Sequence, residues 1–184
     1  MHGKRGGIIL GLLLVLYLAT AGYDMNRPLP SGLDVATPWR SVDSATFLVD
    51  HTWVNEAGER HTEQTIIDEE LRLIEQAREL VVLDQFLFNP FAGAGGSPYR
   101  PITDELTKAL IERKKAVPGL RVVFITDPFN TLYGGVENPY IERLKAAGIE
   151  VIFTDLDRLR DPNPAWSIIW RACCQWAGNS RNGW

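Results

Sequence analysis

The amino-acid sequence predicts an α/β fold in which helices flank a mostly parallel β-sheet. Two observations carry this expectation. Short β-branched runs alternate with amphipathic segments from Thr65 to Phe153, and Pro-Gly or Gly stops close the helices just before the strands. Strand, helix, strand, helix, strand is the order of βαβ units, whose crossovers require parallel neighbours and helices that cover the sheet.

At the amino terminus, Lys4 and Arg5 precede an uncharged run from Gly6 to Tyr23, most apolar between Ile8 and Leu18, and Ala19-Thr20-Ala21 follows a small-x-small cleavage pattern. Residues 1–22 therefore read as a signal peptide or signal anchor that directs the chain to the cell envelope. An apolar core of about 11–15 residues falls short of the ~20 that span a bilayer comfortably, which favours a cleaved signal over an anchor. Residues 23–45, rich in Pro, Gly and Ser, read as a tether.

A first strand is expected at Thr46–Asp50, with a hairpin-like partner beyond the turn residues Asn55–Glu59. Ile66, Ile67, Leu71, Ile74 and Ala77 recur at helical spacing across Thr65–Arg78, with acidic residues early, where the helix dipole favours them. Leu80–Phe88 reads as a strand whose first half is buried on both faces. A helix is expected at Ile102–Ala116, stopped by Pro118-Gly119, then a strand at Leu120–Thr126, a helix at Pro139–Ala147 ended by Gly148, and a strand at Ile149–Phe153. The α/β lobe is thus assigned to residues 46–161. Residues 162–184 form a Trp-rich segment, and Trp166–Trp176 is apolar nearly all round, so it needs a core or a membrane to bury it.

Composition narrows the function. The 184 residues suit one domain, and 19 Lys+Arg against 23 Asp+Glu give a net charge of −4, which argues against a protein that grips a nucleic-acid backbone. Cys173 and Cys174 are adjacent, a spacing unlike a disulfide framework or a Cys-x-x-Cys site, and read as two small apolar residues. Gly93-Ala94-Gly95-Gly96-Ser97 lies between a strand and a helix but matches neither a dinucleotide nor a phosphate-loop spacing. His2, His51 and His61 have no partners at metal-ligand spacing, and there is no Gly-x-Ser-x-Gly elbow, so no metal and no cofactor are expected. Open α/β sheets meet ligands at the carboxyl ends of their strands, which nominates Gln85, Asn89, Asp127 and Asn130 as ligand-binding residues.

The run Leu71–Asn89, followed by Leu120–Thr126, Lys145–Val151 and Thr154–Asp161, resembles the amino-terminal lobe of phospholipase D-like proteins of the cardiolipin and phosphatidylserine synthase type. The similarity covers roughly Phe47 to Trp184 and rests on order and texture. It implies phosphodiester cleavage or phosphatidyl transfer on phospholipids, a phospholipid or membrane surface as partner, and two His-x-Lys-x-x-x-x-Asp motifs that supply nucleophile, acid and phosphate-holding lysines. This sequence contains neither: Trp53 follows His51 at the second place, Glu63 follows His61, and His2-Gly3-Lys4 has Ile9 where the Asp belongs. No residue inherits a catalytic role. The chain is accordingly expected to be a lobe cut before its first motif, lacking a carboxyl-terminal lobe and inactive alone. The alternative is a complete, non-enzymatic, envelope-tethered α/β binding module for a small anionic ligand.

Overall fold

The computed structural model describes residues 2–33, 35–89, 99–132 and 134–174. The Gly93–Ser97 stretch, Trp176 and Trp184 lie outside the described residues. The chain divides into two compact units, Trp39–Thr154 and Met1–Pro38 together with Asp155–Trp184.

The Trp39–Thr154 unit has the predicted α/β fold. It opens with a hairpin of β1 (Asp50–Val54) and β2 (Arg60–Gln64), antiparallel, with Thr52 opposite Thr62 and Trp53 opposite His61. Asn55 fixes the turn, since its Oδ1 accepts from the Ala57 and Glu59 amides at 3.0 and 2.9 Å, and Gly58 takes the positive φ of 79° that a side chain would resist. The first strand therefore starts at Asp50 rather than Thr46. Register counted back from the turn, not the β-propensity of Phe47-Leu48-Val49, decides where pairing begins. Helix α2 (Thr65–Gln76) follows β2 directly. The hairpin's other strand helps to start it, because Asp50 Oδ1 accepts from the Ile66 amide at 2.9 Å and Thr65 Oγ1 donates to the Val49 carbonyl at 2.7 Å.

Strands β3 (Leu80–Gln85), β4 (Arg121–Thr126) and β5 (Glu150–Phe153) form a parallel sheet in that order, joined through α3 (Ile102–Ala116) and α4 (Pro139–Ala146). Val81, Leu83, Val122, Phe124, Val151 and Phe153 point from one face into a core shared with Ile74 of α2, Leu106 and Leu110 of α3, and Ile141 and Leu144 of α4. Two successive crossovers of one hand that step across a sheet in one direction place their helices on the same face. That geometry corrects the expectation that β3 begins buried on both faces: Leu80 and Val82 are 54% and 55% exposed.

In the other unit, α1 (His2–Asn26) contains a 22-residue stretch, Arg5–Asn26, long and apolar enough to cross a membrane, with 0% of its apolar window buried. The apolar face runs past the 11–15 residues counted from Ile8, to about 20, because the small residues Ala19, Ala21 and Gly22 and the hydroxyls of Tyr17 and Thr20 prolong the helix at little cost. Thr20 Oγ1 bonds to the Leu16 carbonyl at 2.9 Å and so leaves no free polar group. Helix α5 (Pro164–Cys173) starts two residues before the predicted apolar segment, since Asn163 caps it through the Trp166 amide and Pro164 suits its first position. Cys174 leaves helical geometry as the C-cap residue and is disulfide-bonded, which corrects its reading as an inert apolar residue.

Candidate functional site

At the carboxyl ends of the strands, the side chains of Gln85, Asp127 and Asn130 hydrogen-bond within the fold. Asp127 Oδ1 accepts from the Phe129 amide at 2.7 Å and so caps the 3-10 turn Pro128–Thr131. Asn130, buried, donates through Nδ2 to the Phe86 carbonyl and to Thr126 Oγ1, both at 2.8 Å, while its Oδ1 accepts from the Phe88 amide at 2.7 Å. Asn138 extends the network: Nδ2 donates to the Phe88 carbonyl at 2.8 Å, and Oδ1 caps α4. The chain leaving β3 has no strand neighbour for its amides and carbonyls, and these two asparagines take the place of one. Asn89 contributes its carbonyl, which accepts from Thr103 Oγ1 at 2.7 Å.

Gln85 Nε2 donates to Glu70 Oε1 at 2.9 Å. Burial pushes the Glu70 carboxyl up, and the Gln85 hydrogen bond opposes that in part. A raised folded-state pKa favours the native state at pH values below the ordinary glutamate range, and the advantage is lost as pH rises through the folded value. Glu70→Gln is therefore expected to raise the melting temperature at pH 7. The gain should shrink as pH falls below about 4, which parallel melts at the two pH values will check.

A second group of polar side chains lines a concavity beside the hairpin. Thr52, Arg60, Thr62 and Gln64 lie on one face of the hairpin and, with Tyr99, Arg100 and Ile102, line an open cleft of about 440 Å³. The Arg60 guanidinium sits 5.2 Å from the centroid of the Tyr99 ring, a cation–π distance. Arg100 closes the floor: Nε donates to Glu105 at 2.8 Å and Nη1 to Asp68 at 2.7 Å, and the Glu105 hydrogen bond, with that from Asp68, holds the guanidinium firmly charged. Two carboxylates thus pair with Arg100, whereas Arg60 has no carboxylate within ion-pair distance among the described residues. The cleft therefore presents one guanidinium without a carboxylate partner of its own, that of Arg60, beside the Thr52 and Thr62 hydroxyls and the Gln64 amide.

Strand-end reasoning missed this cleft, although the signal was in the sequence. The alternation Arg60-x-Thr62-x-Gln64 puts three polar side chains on one strand face, and the Asn55–Glu59 turn sets Thr52 across from Thr62. On the opposite face His61 stacks on Trp53 with centroids 5.5 Å apart, and its Nε2 lies 3.0 Å from Asn55 Nδ2. Among the described residues no group of three or more His, Cys, Asp or Glu is placed to hold a metal ion. Compared with protein-family models, with characterised proteins and with solved structures, the chain has no match in any of the three.

Proposed function

We propose that the chain is a membrane-held, phospholipase D-like α/β lobe that grips one phosphodiester group without cleaving it. The cleft carries this reading. A phosphodiester bears a single negative charge and has two unesterified oxygens, which suits one guanidinium without a carboxylate partner and two neighbouring hydroxyls. A phosphomonoester dianion would leave its second charge unmatched. The resemblance in Leu71–Asn89 and Lys145–Val151 supports the same substrate class, a phospholipid headgroup at a membrane surface. The absent His-x-Lys-x-x-x-x-Asp motifs leave the covalent route without a nucleophile or an acid, so turnover would fall to a partner lobe that carries them.

Full-length chain in non-ionic detergent should bind glycerophosphoglycerol more tightly than glycerol phosphate in calorimetric titration, with no release of glycerol over the same period. Preference for the monoester, or cleavage of the diester, would defeat the proposal.

Envelope localisation is part of the same reading, supported by the Lys4-Arg5 flank and the length of α1. Residues 1–30 fused to a reporter that works only outside the cytoplasm should give an active fusion. An intact but silent fusion would remove the envelope from the proposal.

A further inference from the structure

We infer that α5 is a second membrane element, a short helix that lies in the bilayer against α1. The inference rests on the reading of α1 as a membrane helix and adds an occupant for the apolar face of α5, the lipid bilayer itself.

The contacts within this unit set its depth. The Tyr17 hydroxyl donates to the Ala165 carbonyl at 3.2 Å, and the Asp161 amide donates to the Asp24 carbonyl at 3.3 Å. At 1.5 Å per residue, Tyr17 lies about 14 Å from Asn26 and about 18 Å from Arg5, close to the middle of the helix and, in a bilayer, close to the middle of a hydrocarbon layer of about 30 Å. The chain thus passes from the polar end of α1 at Asp161 toward its apolar centre at Ala165, and α5 starts there. Arg27 donates to the Leu159 carbonyl, and Arg160 Nε donates to the Arg27 carbonyl at 3.1 Å, so charged groups collect at the end of α1 that a headgroup layer would solvate.

The composition of α5 fits that depth. Ile168 is buried, while Trp166 and Ile169, three residues apart on one helical face, are 64% and 50% exposed. On α1, too, apolar side chains from Ile8 to Leu16 and Leu18 are exposed. Arg171 is the one charged residue in Pro164–Cys173, and it is not left bare: Nη2 and Nε donate to the two Asp161 carboxylate oxygens at 2.7 and 3.1 Å. Since the Asp161 amide also bonds the Asp24 carbonyl, the Arg171 charge is held toward the polar end of α1, away from the apolar centre where a lone charge is costly.

The test uses full-length chain in phosphatidylcholine vesicles whose lipids carry bromine midway along the acyl chain. Trp39, Trp53, Trp170, Trp176 and Trp184 are replaced by Phe so that Trp166 alone reports, and a second protein keeps Trp170 alone. Alkaline carbonate extraction of the same vesicles reports on α1 separately. The expected result is a chain retained in the pellet, loss of most Trp166 emission to the bromines, and little quenching by acrylamide. Ile169→Glu in the Trp166 reporter should reverse the two quenchers. A retained chain whose Trp166 and Trp170 yield to acrylamide and not to bromine overturns the placement of α5 while the tether stands. Shielding from both quenchers assigns the face to a second protein surface and also overturns it. A chain released by carbonate defeats the tether, and the inference falls with it.

Discussion

Asn130→Ala is expected to lower the stability of the α/β unit by about 3–5 kcal/mol, because the cost falls on the groups left behind. Truncation strips the Phe88 amide and the Phe86 carbonyl of their buried partner, and each unsatisfied group costs roughly 1–3 kcal/mol. Thr126 loses a partner too, although its own hydroxyl still donates to the Gln85 carbonyl at 2.7 Å. Asn130→Asp keeps an acceptor for the Phe88 amide but loses the donor and sets a buried carboxylate against the Phe86 carbonyl, so at neutral pH its loss should be at least that of Ala. Denaturant melts followed by far-UV circular dichroism measure the series. A loss below about 1 kcal/mol for Asn130→Ala would mean that the strand ends are not held together by this side chain, and would return Asn130 to the list of ligand contacts.

A comparable loss, about 3–5 kcal/mol, is expected for Phe124→Ala. Phe124 is fully buried at the centre of β4, and its ring centroid lies 4.5 Å from that of Phe88 at an angle of 57°. Removal leaves a cavity bordered by α3, α4 and the chain that Asn130 fixes, and close-packed neighbours fill such a space only in part. Val82→Ala makes the contrast, since Val82 is 55% exposed and should cost less than about 1 kcal/mol. Equal effects at the two positions would contradict the helix-covered face as the main core of the sheet. The unfolding slope in denaturant should stay unchanged, as neither substitution alters the surface exposed on unfolding.

Much of this fold is legible in the sequence because its signals are local. Ile102–Ala116 has its predicted bounds, with acidic residues in the first turn, Arg113-Lys114-Lys115 in the last, and Pro118-Gly119 beyond. Long-range consequences are harder to read. Leu80 and Val82 belong to a run that matches a doubly buried strand, and only the same-face placement of the helices uncovers them. Gln85, Asp127 and Asn130 stand where the strand-end rule places a ligand, and each has a partner within the fold: Asn130 bonds the chain beyond β3, Asp127 caps the 3-10 turn and Gln85 meets Glu70. Arg60 and Tyr99 are 39 positions apart, and their stacking depends on how the hairpin meets the approach to α3. Polarity alone does not separate a residue that satisfies the backbone from one that waits for a ligand; the hydrogen-bond partners do.

The most direct test is calorimetric titration of the full-length chain with glycerophosphoglycerol, repeated with Arg60→Ala. A hydrogen bond between charged groups is worth roughly 1.5–3 kcal/mol, so loss of the Arg60 guanidinium should weaken binding about ten- to a hundredfold. Arg60 is exposed, so the variant should keep the melting temperature of the wild type to within a few degrees. Thr62→Val should weaken binding by a smaller factor, consistent with the loss of one uncharged donor. An affinity unchanged by Arg60→Ala in a folded protein would contradict the cleft as the phosphodiester site, and with it the function proposed for the chain.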